Sequence, residues 1–201
     1  MYRFYLAAVD LLPAALLLIP FYWIVNRVYF RNGKKSAYYC MISCYLGVIY
    51  VLTGLPTVAY IEPELNLNLI PILPMAADLK NSALNIFLFV PLGMMLPLGW
   101  RKFREKYYVV GFGFGVSLCI EILQIFTFRA TDVNDLITNT IGAYLGCLPV
   151  MAIMKKNPRI ATLIDEENSH EIVAVLLTTC GIMFFLYPFA SGILWDLILT
   201  K

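Results

Sequence analysis

The sequence predicts an all-α protein, a polytopic transmembrane helical bundle of about six spans with both termini outside. Three observations lead there. Hydrophobic residues make up 61% of the chain and charged residues 14%, against about 25% charged in an ordinary soluble domain. The apolar residues gather into runs of the ~20 residues that a helix needs to cross the hydrocarbon core. The basic residues alternate between loops, as the positive-inside rule asks of a multi-pass chain. No linker, repeat or low-complexity tract divides the 201 residues, so one membrane domain over 1–201 is expected.

The first span is placed at 5–26. Its start superficially resembles a signal peptide, but the single early Arg3, the acidic Asp10 and an overlong apolar run fit a retained helix better. The second span is placed at 37–59, the third at 82–100, the fourth at 107–128, the fifth at 133–154 and the sixth at 171–194. The DEENSHE segment before the sixth could lie on the membrane surface, which leaves open whether that span crosses. Pro13, Pro20, Pro91, Pro97, Pro149 and Pro188 fall inside spans, where neighbours re-satisfy the freed carbonyls, so kinks rather than breaks are expected.

Eleven of the fifteen basic residues lie in three loops: Arg27, Arg31, Lys34 and Lys35; Arg101, Lys102, Arg104 and Lys106; Lys155, Lys156 and Arg159. That bias assigns these loops to the cytoplasm. Tyr22, Trp23, Trp100, Tyr107, Tyr108 and Trp195 fall near span ends, where interfacial anchors belong. The five cysteines sit in apolar stretches without a CxxC pair, so neither disulfides nor zinc are indicated. A net charge of +2 argues against a nucleic-acid partner.

One stretch departs from this pattern. EILQIFTFRATDVNDLITN, residues 121–139, crowds Glu121, Gln124, Arg129, Asp132, Asp135 and Asn139 between two spans. In a bilayer each such group is costly without a partner or a function. Glu121 lies roughly 10 Å below the outer end of the fourth span at 1.5 Å per residue. Ser117 and Gln124 share its face, one turn to either side. Asp132, Asp135 and Asn139 follow i, i+3, i+7, a single face descending along the fifth span. Gly142 and Gly146 continue it as GxxxG, which permits close approach by a neighbouring helix or a partner chain, so an oligomer is open. Either Thr131 or Asp132 suits the helix cap. Asp78, Lys80, Asn81 and Asn85 lie at the outer end of the third span and Asp10 near that of the first. Several helices thus bring polar groups to one leaflet, the pattern of an outward-facing site.

The motifs NIFLFVPLG (85–93), IEILQIF (120–126) and RATDVNDLITNTIGAYLG (129–146), with LNLIP (67–71) upstream, resemble the VanZ-like family of bacterial membrane proteins. The resemblance covers 65–148 as a core, with 1–60 and 155–201 as flanking spans. It implies a multi-pass protein of the bacterial plasma membrane associated with resistance to lipoglycopeptides such as teicoplanin, and it supplies no reaction. Asn85, Pro91, Gly93, Glu121, Gln124, Asp132, Asp135, Asn139 and Gly142 occupy the family's characteristic positions.

Three functions compete. In the first, Asn85, Glu121, Gln124, Arg129, Asp132, Asp135 and Asn139 bind an amphiphile, either the antibiotic or an envelope lipid, with membrane lipids around them. In the second, an enzyme acts on a lipid-linked phosphate or diphosphate. Glu121 would then be the general acid or base, and Asp132 and Asp135 would hold a divalent cation against the substrate. In the third, the chain is a flippase or transporter, which the one-leaflet distribution and the lack of an inverted repeat support least.

Overall fold

In hydrocarbon the helix is the one open-ended way for a chain to satisfy its own amides, and long helices dominate. The structure is a computed structural model describing residues 2–63, 67–68, 79–127, 131–157, 159 and 166–199. Its helices are α1 (Tyr2–Val25), α2 (Gly33–Leu52), α3 (Leu79–Gly99), α4 (Lys106–Gln124), α5 (Val133–Lys156), α6 (His170–Phe185) and α7 (Tyr187–Leu199). The first five, with a π-helical turn at Asn26–Phe30 extending α1, are long and apolar enough to cross a membrane. Helices α6 and α7 form a sixth candidate bent by 48°.

Besides the end of α4, at Gln124 instead of 128, two boundaries and one proline differ from the sequence expectation. Helix α2 begins at Gly33, ahead of its apolar run, because Asn32 caps it: Oδ1 accepts from the Lys34 and Lys35 N–H groups at 3.1 and 3.3 Å. It ends at Leu52 instead of 59, where Gly54 turns left-handed at φ 61° and Pro56 follows. Pro13, Pro20, Pro91, Pro97 and Pro149 lie inside unbroken helices. Pro188 does not: the helix breaks at Leu186, and the proline sits in the first turn of α7, where its missing N–H costs nothing.

The described chain forms two compact units, Met1–Ile61 with His170–Lys201, and Glu62–Ser169. In the first unit α1 and α2 run antiparallel, and Gly47 of α2 lets the Leu18 side chain approach. Ser43 Oγ donates to Tyr22 Oη at 2.8 Å and lies 2.7 Å from Thr179 Oγ1 of α6. Tyr22 is therefore buried inside the unit, not an interfacial anchor. Trp195 Nε1 donates to Asp10 Oδ1 at 3.1 Å, which gives both residues a bond within the unit.

In the second unit α3 and α5 run parallel in unusually close contact. A Cβ on Gly142 would lie 2.3 Å from the Ile86 carbonyl oxygen, and one on Gly146 2.0 Å from that of Val90. Gly93 answers from α3: its Cβ would lie 2.0 Å from the Ala143 carbonyl oxygen. The two glycines of the GxxxG face expected from sequence thus pack against the chain's own α3. Helix α4 runs antiparallel to α5, with Gly113 against Ala143. At the far end Trp100 is fully buried against Phe103, which also removes it from the anchor set. The Arg101 N–H donates to the Glu166 carbonyl at 3.0 Å and the Glu166 N–H to the Gly99 carbonyl at 2.9 Å, pinning part of DEENSHE to this unit.

Candidate functional site

The polar stretch forms the turn of the α4–α5 hairpin in the second unit. Helix α4 ends at Gln124, a turn runs to Thr127, and the chain returns in a two-residue strand, β2 (Thr131–Asp132). That strand pairs in parallel with β1 (Leu67–Asn68), placing Asn68 opposite Asp132. The Glu62 N–H donates to the Phe126 carbonyl at 3.0 Å, bringing a further loop to the same turn.

Across the hairpin the side chains meet rung by rung. At the top, Glu121 Oε2 accepts from the Asp132 N–H at 2.8 Å. One turn down, Asn139 Nδ2 donates to Ser117 Oγ at 2.9 Å. A turn below that, Gly113 and Ala143 touch. Four-residue steps along α4 (Glu121, Ser117, Gly113) set these levels. Opposite them Asn139 and Ala143 are also four apart, whereas Asp132 lies seven residues before Asn139, ahead of α5. Glu121, Gln124 and Asn139 are buried, and Asp132 and Asp135 are half-buried. The carboxylates of Asp132 and Asp135 both lie within electrostatic reach of Glu121. Asn85, half-buried on α3, is next to the Ile86–Gly142 contact and so lies within one turn of Asn139 in depth. Arg129 lies outside the described residues, as does Asp78.

Why acids gather here has a local answer. The first amides of α5 lack intrahelical partners and carry the positive end of the helix dipole. Asp132, not Thr131, is the cap: its Oδ1 accepts from both the N–H and the Nδ2 of Asn134, each at 2.8 Å. Glu121 reaches over from α4 to satisfy the cap residue's own N–H. Asp135 follows in the first turn, where negative charge is favoured. Two of the three acids therefore have structural duties.

Asn139 differs. Its residue is 3% exposed, its Nδ2 is bonded, and its Oδ1 has no hydrogen-bond partner among the described residues. A buried unsatisfied acceptor costs about 1–3 kcal/mol. Among the described residues no three His, Cys, Asp or Glu side chains are grouped to hold a metal ion. A cation on Asp132 and Asp135 would thus need oxygens from a substrate to complete its shell. Sequence reasoning did not single out Asn134 or Asn68. The Asp132-x-Asn134 spacing, which suits a local side-chain turn, was the available signal for the first.

Comparison with known proteins now bears on this region. The sequence model of the family described as VanZ/LLP1 matches residues 11–155. The chain belongs to the VanZ/LLP1 family. It is also 42% identical over 65 residues to Protein VanZ of Enterococcus faecium, a match covering 31% of this chain and 38% of that protein. No solved structure matches it. The VanZ/LLP1 region runs from within α1 to the end of α5, so it contains the whole hairpin ladder, while α6 and α7 lie beyond it.

Proposed function

We propose that this VanZ/LLP1 protein contributes to resistance against lipoglycopeptide antibiotics such as teicoplanin. On this reading the hairpin ladder faces the outer leaflet of the bacterial plasma membrane and engages an amphiphilic ligand there, the antibiotic or an envelope lipid. The observation that carries it is the Oδ1 of Asn139, without a partner among the described residues and buried beside Ser117 and below Glu121. An acceptor left unsatisfied at a polar cluster suits a ligand that donates an N–H or O–H. The carboxylates would take a cationic group of the same ligand, and Lys80, exposed at the start of α3, an anionic one.

Expression in a susceptible bacterium tests this. Tolerance should rise more for teicoplanin than for vancomycin, which lacks the lipid tail, and Asn139→Leu should remove the difference while the protein still accumulates. An equal response to both drugs would defeat the reading.

A second reading, an enzyme acting on a lipid-linked phosphate or diphosphate, is favoured by the reach of both aspartates to Glu121. Purified protein should then turn over such a lipid, and Glu121→Gln and Asp135→Asn should each stop it. Ligand binding with no turnover would leave the first reading alone.

A further inference from the structure

The first unit holds a cavity of about 440 Å³ that the proposed function does not use. Phe21, Val25, Tyr29 and Phe30 line it from α1 and the π-helical turn, and Ala174 and Val175 from α6. Tyr29 and Ala174 are exposed, so the cavity opens at the surface of the unit. Its walls are almost wholly apolar, and its size falls within the ~300–1,000 Å³ of small-molecule sites.

The polar groups here are arranged unevenly. Glu171, the acid in the lining, is neutralised by Lys35 Nζ at 2.8 Å and accepts a bond from the Tyr39 hydroxyl. It leaves no uncompensated negative charge. Shortly after Tyr29 and Phe30 in the sequence, Arg31 and Lys34 are exposed, and no described acid pairs with either. Arg27, in the π-helical turn itself, stacks over Trp23 at 5.0 Å. A greasy slot edged by uncompensated cations complements a molecule with an apolar tail and an anionic head.

We propose that this cavity seats one acyl chain of an anionic phospholipid whose phosphate rests on Arg31 and Lys34. The fit is by chemistry: two exposed cations closely following the lining Tyr29 and Phe30 in sequence suit an anionic headgroup, and the apolar walls suit the tail. Basic residues at a membrane surface favour anionic over zwitterionic headgroups. The π-helical turn supplies Tyr29 and Phe30 to the wall, and Arg31, left-handed at φ 47°, follows it on the way into α2.

Native mass spectrometry of the purified full chain in detergent, titrated with phosphatidylglycerol or phosphatidylcholine of identical acyl chains, tests it. One phosphatidylglycerol should be retained with a preference of about tenfold or more over phosphatidylcholine. Ala174→Trp, on the exposed side of α6, should abolish the adduct by filling the slot. Arg31→Asn with Lys34→Gln should leave a lipid bound but erase the preference; Asn tolerates the left-handed position. Equal retention of the two lipids by the unaltered chain would overturn the proposal. So would an unchanged adduct in Ala174→Trp. Should that variant lose its helical circular dichroism, the charge variant decides alone: an unchanged preference refutes the site, and a lost one supports it.

Discussion

Asn139 and Glu121 take part in neighbouring rungs of the same ladder, yet they do opposite things for stability. Glu121 satisfies the Asp132 N–H. Glu121→Leu leaves that amide without its acceptor inside the hairpin, so stability should fall by about 1–3 kcal/mol, read as a lower midpoint for unfolding in detergent. Asp132→Ala should cost about 1 kcal/mol as a lost cap. Asn139→Leu should behave differently. It removes an orphaned acceptor along with one bond to Ser117, and membrane hydrogen bonds average only ~0.6 kcal/mol. The unfolding midpoint should therefore hold or rise while any teicoplanin tolerance disappears; a large loss of stability would make Asn139 a packing residue. The i, i+3, i+7 spacing reads Asp132, Asp135 and Asn139 as one helical face, but Asp132 lies ahead of α5 in extended backbone at φ −123° and caps it, so only Asp135 and Asn139 are on the helix. What spacing could not show was the duty of each acid, because that depends on which free amide lies opposite, and amides are the same in every residue.

Helices α3 and α5 are held by backbone approach, and the glycines decide it. Gly142→Ala and Gly146→Ala place a methyl group 2.3 and 2.0 Å from carbonyl oxygens that cannot rotate away. Each should destabilise by about 1–3 kcal/mol or more and lower the yield of folded protein. Gly111→Ala on α4 is the control, since nothing lies within 4 Å of its Cβ. There the loss of backbone freedom in the unfolded chain should stabilise by up to ~1 kcal/mol. Equal losses at all three would mean that the seam is not what the glycines serve. GxxxG was readable as a close-packing face, but its neighbour was not, because periodicity names a face and never the helix opposite. Hydropathy likewise placed the apolar run of α2 but not its ends, which Asn32 and Gly54 set through the backbone. The β1–β2 pairing was illegible for a simpler reason: two residues carry no period.

For the whole molecule the remaining variable is which side each loop faces, and charge is the property that sets it. Within the second unit α3 and α5 run the same way, so Arg101–Lys106 and Lys155–Lys156 share one end. Within the first, α2 and α6 run the same way, so Lys35 and Glu171 share one end. The two basic loops of the second unit therefore share one end, while the first unit holds a single basic loop. The expectation is that all three face the cytoplasm. Single cysteines at Lys34, Lys102 and Lys156, in a chain whose five native cysteines are replaced, should resist an impermeant maleimide on intact cells. One at Tyr60, in the turn after α2, should react. The opposite pattern would invert the topology and place the hairpin ladder inside, where a drug acting on the wall could not meet it. Lys201→Cys tests the bent α6–α7 pair separately: a true sixth span exposes it to the reagent, whereas a re-entrant pair returns it to the protected side. Pro188 makes that bend by ending one helix before starting the next, so Pro188→Ala should favour the continuous span and increase labelling at Lys201→Cys if the native pair is re-entrant.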